Sequence, residues 1–245
     1  PRIFLNFILT VMHKEVFSLE QVHLLPLVEC FKKDFYLVGG TAIALYIGHR
    51  RSIDFDLFTF KEFDNVKIKR IISKEARINS VIRDEEGQYT LMVNRVQITF
   101  FQYPFVIPAT HWFQRIIKMP DLLTLAAMKA YALGRRAKWK DYVDLYFITA
   151  KYHGVSAIVQ RAHALFGKEF NEKLFREQLT FFQDINYAEK VDYMPGFAVN
   201  DKEVEKGLLE SVGKAKKDRY YRKPGQEVPT GLFSGGGDNK KDKSI

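Results

Sequence analysis

The stretch LVGGTAIALYIGHRRSIDFDLF (37–58) constrains this chain more than any other. A short apolar run, FYLV (35–38), ends in Gly39 and Gly40, and helix-compatible residues follow from Thr41 to Ile47 until Gly48 interrupts them. A loop of His49, Arg50, Arg51 and Ser52 then leads into Ile53–Phe58, where Ile53, Phe55 and Leu57 alternate with Asp54 and Asp56. The spacing predicts a strand over 35–38, a short helix over 41–47 and a second strand over 53–58.

That order has a chemical meaning. Glycines at a strand-to-helix turn let the backbone approach a ligand, and the helix start offers unpaired N–H groups to phosphate. Asp54 and Asp56, two apart on a strand, point to one face with Cα atoms roughly 6.5–7 Å apart. Two hard carboxylates so placed can ligate Mg²⁺ together with the phosphate oxygens of a nucleotide. Each piece alone has a plainer reading. Gly-Gly can be a turn, Asp-x-Asp an exposed strand face, and Arg50 and Arg51 simple counter-charges to Asp54 and Asp56. The combination within one short block favours a nucleotide site.

Around this block the pattern is mixed. Ser18 and Gln21 form a capping-box signature opening a helix to about Phe31. Residues 66–72 read as a helix, and 77–83, 88–93 and 96–102 as a strand meander turning at Glu86-Gly87 and Asn94-Arg95. From Pro120 the periodicity is helical, over about 121–130, 140–150, 155–166, 171–182 and 202–217. Residues 224–245 are rich in glycine and lysine, and a disordered tail is expected. Pro1 is no initiator, so Met12 is the expected natural start, with 1–11 as an upstream extension. The apolar opening lacks a cleavage signature, so export is not expected.

Charge narrows the ligands. Lysine and arginine number 38 against 29 acids, a formal +9, and the excess is concentrated. One patch holds Lys129, Arg135, Arg136, Lys138 and Lys140; the other holds Lys214, Lys216, Lys217, Arg219, Arg222 and Lys223. Both suit polyanions, or merely solvated helix faces. Tyr220 and Tyr221 in the second patch suit base stacking or an amphipathic helix equally. The single Cys30 excludes a disulfide framework. No uncharged apolar run approaches the roughly 18 residues of a membrane span, and a cytoplasmic protein is expected. The stretch Gly207–Ala215 only imitates a phosphate-binding loop, its spacer being too long and its Ser/Thr missing.

The block at 36–58 resembles the AbiEii/AbiGii-type nucleotidyltransferase toxins, within the polymerase-β-like nucleotidyltransferase superfamily. A second block, AAMKAYALGRRAKWKDYVDLYFI (126–148), resembles that family's Lys followed by Lys/Arg-Asp-x-x-Asp-Leu-Tyr. The resemblance implies an α/β (α+β) nucleotidyltransferase-fold mixed sheet with flanking helices, followed by a helical domain. It suggests an N-terminal extension at 1–17, the nucleotidyltransferase module at 18–110, helices at 111–223 and the tail beyond. Gly39, Gly40, Thr41, His49, Arg50 and Ser52 would bind the nucleotide. Asp54 and Asp56 would hold Mg²⁺, with Lys129 and Asp141 as further catalytic residues. The implied reaction moves a nucleoside monophosphate from NTP to an acceptor, with RNA or tRNA as one acceptor. A cognate antitoxin and a toxin–antitoxin or phage-defence role are also implied.

One departure stands out. Related enzymes add a third carboxylate from an adjacent strand, expected here at 96–101, where Gln97 and Thr99 share a face and neither is acidic. Asp141 or the metal alone would then serve deprotonation. Asp141 and Asp144 are also open to a local ion-pair network with Lys138 and Lys140. Two rivals remain: a nucleotidyltransferase for a small molecule such as an aminoglycoside, and a catalytically weak nucleotide- or RNA-binding protein of the same fold.

Overall fold

The computed structural model describes residues 12–221, with side chains through residue 214. The upstream residues 1–11, the tail 224–245 and the side chains of Tyr220 and Tyr221 lie outside the described residues. Helix α1 (Leu19–Glu29) opens on the expected capping box: the Gln21 amide donates to Ser18 Oγ at 3.2 Å and the Ser18 amide to Gln21 Oε1 at 3.1 Å. Strand β1 (Tyr36–Val38) runs directly into α2 (Gly39–Ile47), which starts at the first glycine rather than at Thr41. Gly48 closes α2 in the left-handed region, at φ 73°, where a residue without Cβ carries no penalty.

Strand β2 (Phe55–Thr59) buries Phe55, Leu57 and Thr59 and turns Asp56 and Phe58 to the opposite face. It begins after Asp54, which sits in the approach to the strand. Helix α3 (Asn65–Glu75) follows, capped by Asp64. The meander appears as expected, as β3 (Ile78–Glu85), β4 (Gln88–Val93) and β5 (Val96–Gln102). Its second turn holds Asn94 and Arg95 at φ 47° and 68°, the positive pair a two-residue hairpin needs.

Residues 111–119, expected to open the helical part, instead form β6 (His111–Phe113) and β7 (Ile117–Met119). These strands are too short to carry a periodic signal; β7 forms by pairing with β1, and β6 by pairing with β7. The helices then run α4 (Leu122–Leu133), α5 (Trp139–Lys151), α6 (Val155–Phe166), α7 (Glu172–Gln178) and α8 (Asp201–Tyr221). Asp121, not Pro120, starts α4, accepting from the Thr124 amide at 2.6 Å. Residues 12–17, placed on sequence in an N-terminal extension, belong to the body. Val16 and Phe17 are buried in the core, and the His13 amide donates to the Leu45 carbonyl.

The strands form one seven-stranded mixed sheet in the order β3-β4-β5-β2-β1-β7-β6. Strand β2 pairs antiparallel with β1 and parallel with β5, and β7 pairs parallel with β1. Helices α4 and α5 pack on α2, and α8 packs on α5. The registers align Asp56 with Thr99 and Thr99 with Thr90, then Phe58 with Phe101 and Phe101 with Gln88. One face therefore carries two parallel rungs, Asp56–Thr99–Thr90 and Phe58–Phe101–Gln88. All six residues line the same cavity.

Candidate active site

The cavity measures about 860 Å³ and lies between this sheet face and the side of α4, and it is also lined by Arg135, Arg136 and Lys138 of the α4–α5 connection, Lys140 of α5 and Glu189. Gly39 and Gly40 form one wall. Gly39 sits at φ 73°, and a Cβ there would overlap Asp56 Oδ2. A Cβ on Gly40 would overlap Arg50 Nη2 and come within 3.1 Å of Ser52 Oγ. Both glycines are therefore dictated by neighbours, and the space they leave belongs to the Asp56 carboxylate and the Arg50 guanidinium.

Asp54 and Asp56 share the cavity with Ser52. Burial raises the Asp54 carboxyl above the usual range, against the opposing pull of Lys140. Burial, reinforced by the charge of Asp54, pushes Asp56 up to about 6, although Lys129 and Arg136 pull the other way. The pair is short of positive charge. Thr41 does not reach the cavity; its hydroxyl donates to the Asp54 carbonyl and ties α2 to the approach of β2.

Behind this wall lies a buried charge cluster. Asp144, fully inaccessible, accepts from Arg50 Nε at 2.7 Å, Arg50 Nη2 at 2.8 Å and His49 Nε2 at 2.8 Å, and pairs with Lys129 Nζ at 2.9 Å. Burial alone would raise its carboxyl. Arg50, Lys129 and the donated hydrogen bonds overcome that and hold it well below the ordinary value. Burial likewise works to discharge Lys129, and Asp141 and Asp144 reverse the shift, so it stays cationic. Lys129 also donates to Asp141, whose Oδ2 accepts no hydrogen bond and lies 3.4 Å from Arg136 Nε.

These contacts redistribute the expected partners. Arg50 makes no ion pair with Asp54 or Asp56, because its fork is committed to Asp144, and only its charge at a distance favours ionised Asp54. Arg51 points away, donating to the Phe17 carbonyl and lying 3.6 Å from Asp192. His49 is buried and absent from the cavity lining, so the expectation of a direct nucleotide contact is replaced by a bond to Asp144. Burial lowers its basicity despite the neighbouring carboxylate. Lys138 and Lys140 are not the partners of Asp141 and Asp144. They pair with Glu189 at 2.9 and 3.1 Å, and those bonds hold its carboxyl down at about 2.

Of the ten expected site residues, the structure brings Gly39, Gly40, Arg50, Ser52, Asp54, Asp56, Lys129 and Asp141 to one cavity. Thr41 and His49 stand behind it. Thr99, at the position of the expected third carboxylate, lies beside Asp56 as the register requires. Arg136 was visible on sequence only as patch charge. Glu189, contributed by the α7–α8 connection, had no local signal at all. Among the described residues no group of three or more His, Cys, Asp or Glu side chains is poised to hold a metal.

Residues 28–206 match the family described as "Nucleotidyl transferase AbiEii toxin, Type IV TA system". An uncharacterized protein of Aquifex aeolicus (strain VF5) is 36% identical over 124 residues, 49% of this chain and 59% of that protein. The chain thus spans less than two thirds of that relative's length. Among solved structures, MenT4, a nucleotidyltransferase toxin from Mycobacterium tuberculosis H37Rv, superposes with a TM-score of 0.55 at 14% identity, covering 82% of this chain and 84% of that one. A putative nucleotidyltransferase from H. pylori gives 0.53 at 12%, covering 83% and 97%. At these identities the likeness is one of fold.

Proposed function

The chain belongs to the AbiEii nucleotidyl transferase toxin family, and from that premise we propose that it transfers a nucleoside monophosphate from an NTP to a hydroxyl of RNA. The observation that carries the proposal is the facing of two under-neutralised carboxylates, Asp54 and Asp56, by the glycine-opened start of α2 and by cationic Lys129 within one cavity.

The donor set suits Mg²⁺, which commonly takes one or two carboxylates and completes its shell with water and substrate phosphates. Asp54 and Asp56 would hold it, and bound there it would neutralise charge on the triphosphate. The α2 backbone and Ser52 would receive the terminal phosphates. Lys129, held charged by Asp141 and Asp144, would offset charge on the departing pyrophosphate. The acceptor oxygen bonds to the α-phosphorus as the bond to the bridging oxygen breaks, and pyrophosphate leaves with those electrons. The hydroxyl proton goes to a nearby base, for which Asp141 Oδ2, free of donated hydrogen bonds, is the candidate. Thr99 is not basic enough for that role.

An RNA acceptor is favoured by the rim. Arg135, Arg136 and Lys138 are about half exposed beside the opening, a placement that suits a phosphate backbone better than a cationic small molecule. A cognate antitoxin is the expected genetic partner, and growth arrest during phage infection in the cytoplasm the expected setting. The test incubates the protein with labelled NTPs, Mg²⁺ and total RNA. Label should enter RNA with wild type and vanish with Asp54→Ala or a chelator. NTP binding without any transfer by wild type would overturn the enzymatic reading.

A further inference from the structure

The cavity is larger than a triphosphate and its metal need, and its second rung has no part in the chemistry above. One two-residue step along β2 and β5 from Asp56 and Thr99, about 6.5–7 Å, lie Phe58 and Phe101, directly paired in register. Their rings are 5.1 Å apart and tilted by 54°. Tyr103 backs Phe58 at 5.3 Å, and Gln88 continues the rung on β4, with Glu85 of the edge strand β3 beyond it. Across the cavity α4 presents Tyr131 with the Arg135 guanidinium 3.9 Å over its ring. Phe58, Phe101 and Tyr131 are only half buried. They are not closed core.

We propose that the Phe58–Phe101 rung is the stacking platform for the base of the incoming NTP, with Gln88 at its hydrogen-bonding edge. The inference rests on the NTP reading of the carboxylate site. With the terminal phosphates at Gly40 and Ser52 and the α-phosphate at Asp54 and Asp56, ribose and base extend onward along β2, which leads onto Phe58. An aromatic face accepts any base by its π-surface. The Gln88 side chain, whose Oε1 accepts from Arg83 Nη1 at 3.3 Å, has amide N–H donors to set against a base edge, a means of discriminating bases.

The experiment compares binding of NTPs, inorganic tripolyphosphate and a 5′-hydroxyl RNA oligonucleotide, all with Mg²⁺, to wild type and to a Phe58→Leu/Phe101→Leu variant. Leucine keeps an apolar side chain and removes the ring; should the double variant melt early, Phe101→Leu alone carries the comparison. Wild type should bind NTP more tightly than tripolyphosphate. The variant should lose roughly tenfold in NTP affinity, the scale of one base stacked on an aromatic side chain, with tripolyphosphate affinity unchanged. Equal NTP affinity in both proteins would overturn the platform, as would a loss confined to the oligonucleotide, which would assign the rung to the acceptor. If wild type binds neither NTP nor tripolyphosphate, the NTP reading itself fails and the platform with it.

Discussion

Arg50 grips Asp144 through both ends of its fork, Nε at 2.7 Å and Nη2 at 2.8 Å, with the two side chains 2% and 0% exposed. The pair bolts the loop between α2 and β2 to the middle of α5, and Lys129 adds α4 to the same carboxylate. The wall that carries Ser52 and Asp54 is thereby fixed to the helices that carry Lys129 and Asp141.

Asp144→Asn should therefore be strongly destabilising. It leaves Arg50 and Lys129 buried with too little negative charge, and breaking a buried pair costs about 3–5 kcal/mol. Urea unfolding should show the midpoint falling by that free energy. A change under about 1 kcal/mol would mean the cluster is more solvated than its burial indicates.

On acidification His49, and then Asp144 with Glu189, should each lower stability, while protonation of Asp56, raised to about 6 in the fold, offsets part of the loss between about pH 6 and 4. The folded-state basicity of His49 is lowered by burial, so the unfolded chain takes up that proton first and stability declines as pH drops below about 6.5. Asp144 is held well below its ordinary value and Glu189 down at about 2. Their contributions are complete above about 4.5 and are lost as pH falls through the folded values. Melting temperatures from pH 8 to pH 3, taken in Asp56→Asn to remove the opposing carboxyl, should show both declines, with the lower one reduced when Asp144→Asn is added.

Asp56→Asn should raise the melting temperature of the metal-free protein, by about 1 kcal/mol in stability, because it removes a charge that burial and Asp54 both oppose. The same variant should lose label transfer. Thermal melts in chelator, paired with the transfer assay, check both halves; a destabilised variant would mean the carboxylates are compensated in solution.

Gly39→Ala should cost about 1–2 kcal/mol for the left-handed backbone. It should also displace the Asp56 carboxylate its Cβ would overlap, and a shift of about 1 Å at a reacting centre costs on the order of 100-fold in rate. A properly folded variant with near-normal transfer would contradict the close approach.

Glu189→Gln should free Lys138 and Lys140 at the rim. Stability should move by less than about 1 kcal/mol, since Lys138 and Glu189 are about half exposed and solvent screens the pairs. RNA affinity at low salt should rise a few-fold and the gain should fade as salt is added. Filter binding over a salt series gives the answer.

Local chemistry makes much of this protein legible in its sequence. Capping at Ser18, the stop at Gly48, the meander from 78 to 102 and the helices after residue 120 all follow from side-chain period and turn residues. The Asp54–Asp56 pair is visible because the apolar alternation around it reads as a strand of period two; Asp54 itself lies just ahead of β2, yet both carboxylates reach the cavity. What local pattern could not carry was pairing at a distance. Strand β7 exists because β1 offers an edge, and β6 because β7 then offers another. His49 and Arg50 look like ligand contacts until the fold delivers Asp144 to them from ninety-odd positions away. Lys138 and Lys140 have two nearby acids on their own helix, yet they turn to Glu189. By itself, then, the sequence determined the elements, the carboxylate pair and the glycine turn, since those depend on neighbours a few residues apart. Only the tertiary structure decided which cations serve the cavity and which are spent holding it together, because a buried charge goes to whichever partner best repays its lost water, and the fold chooses that partner.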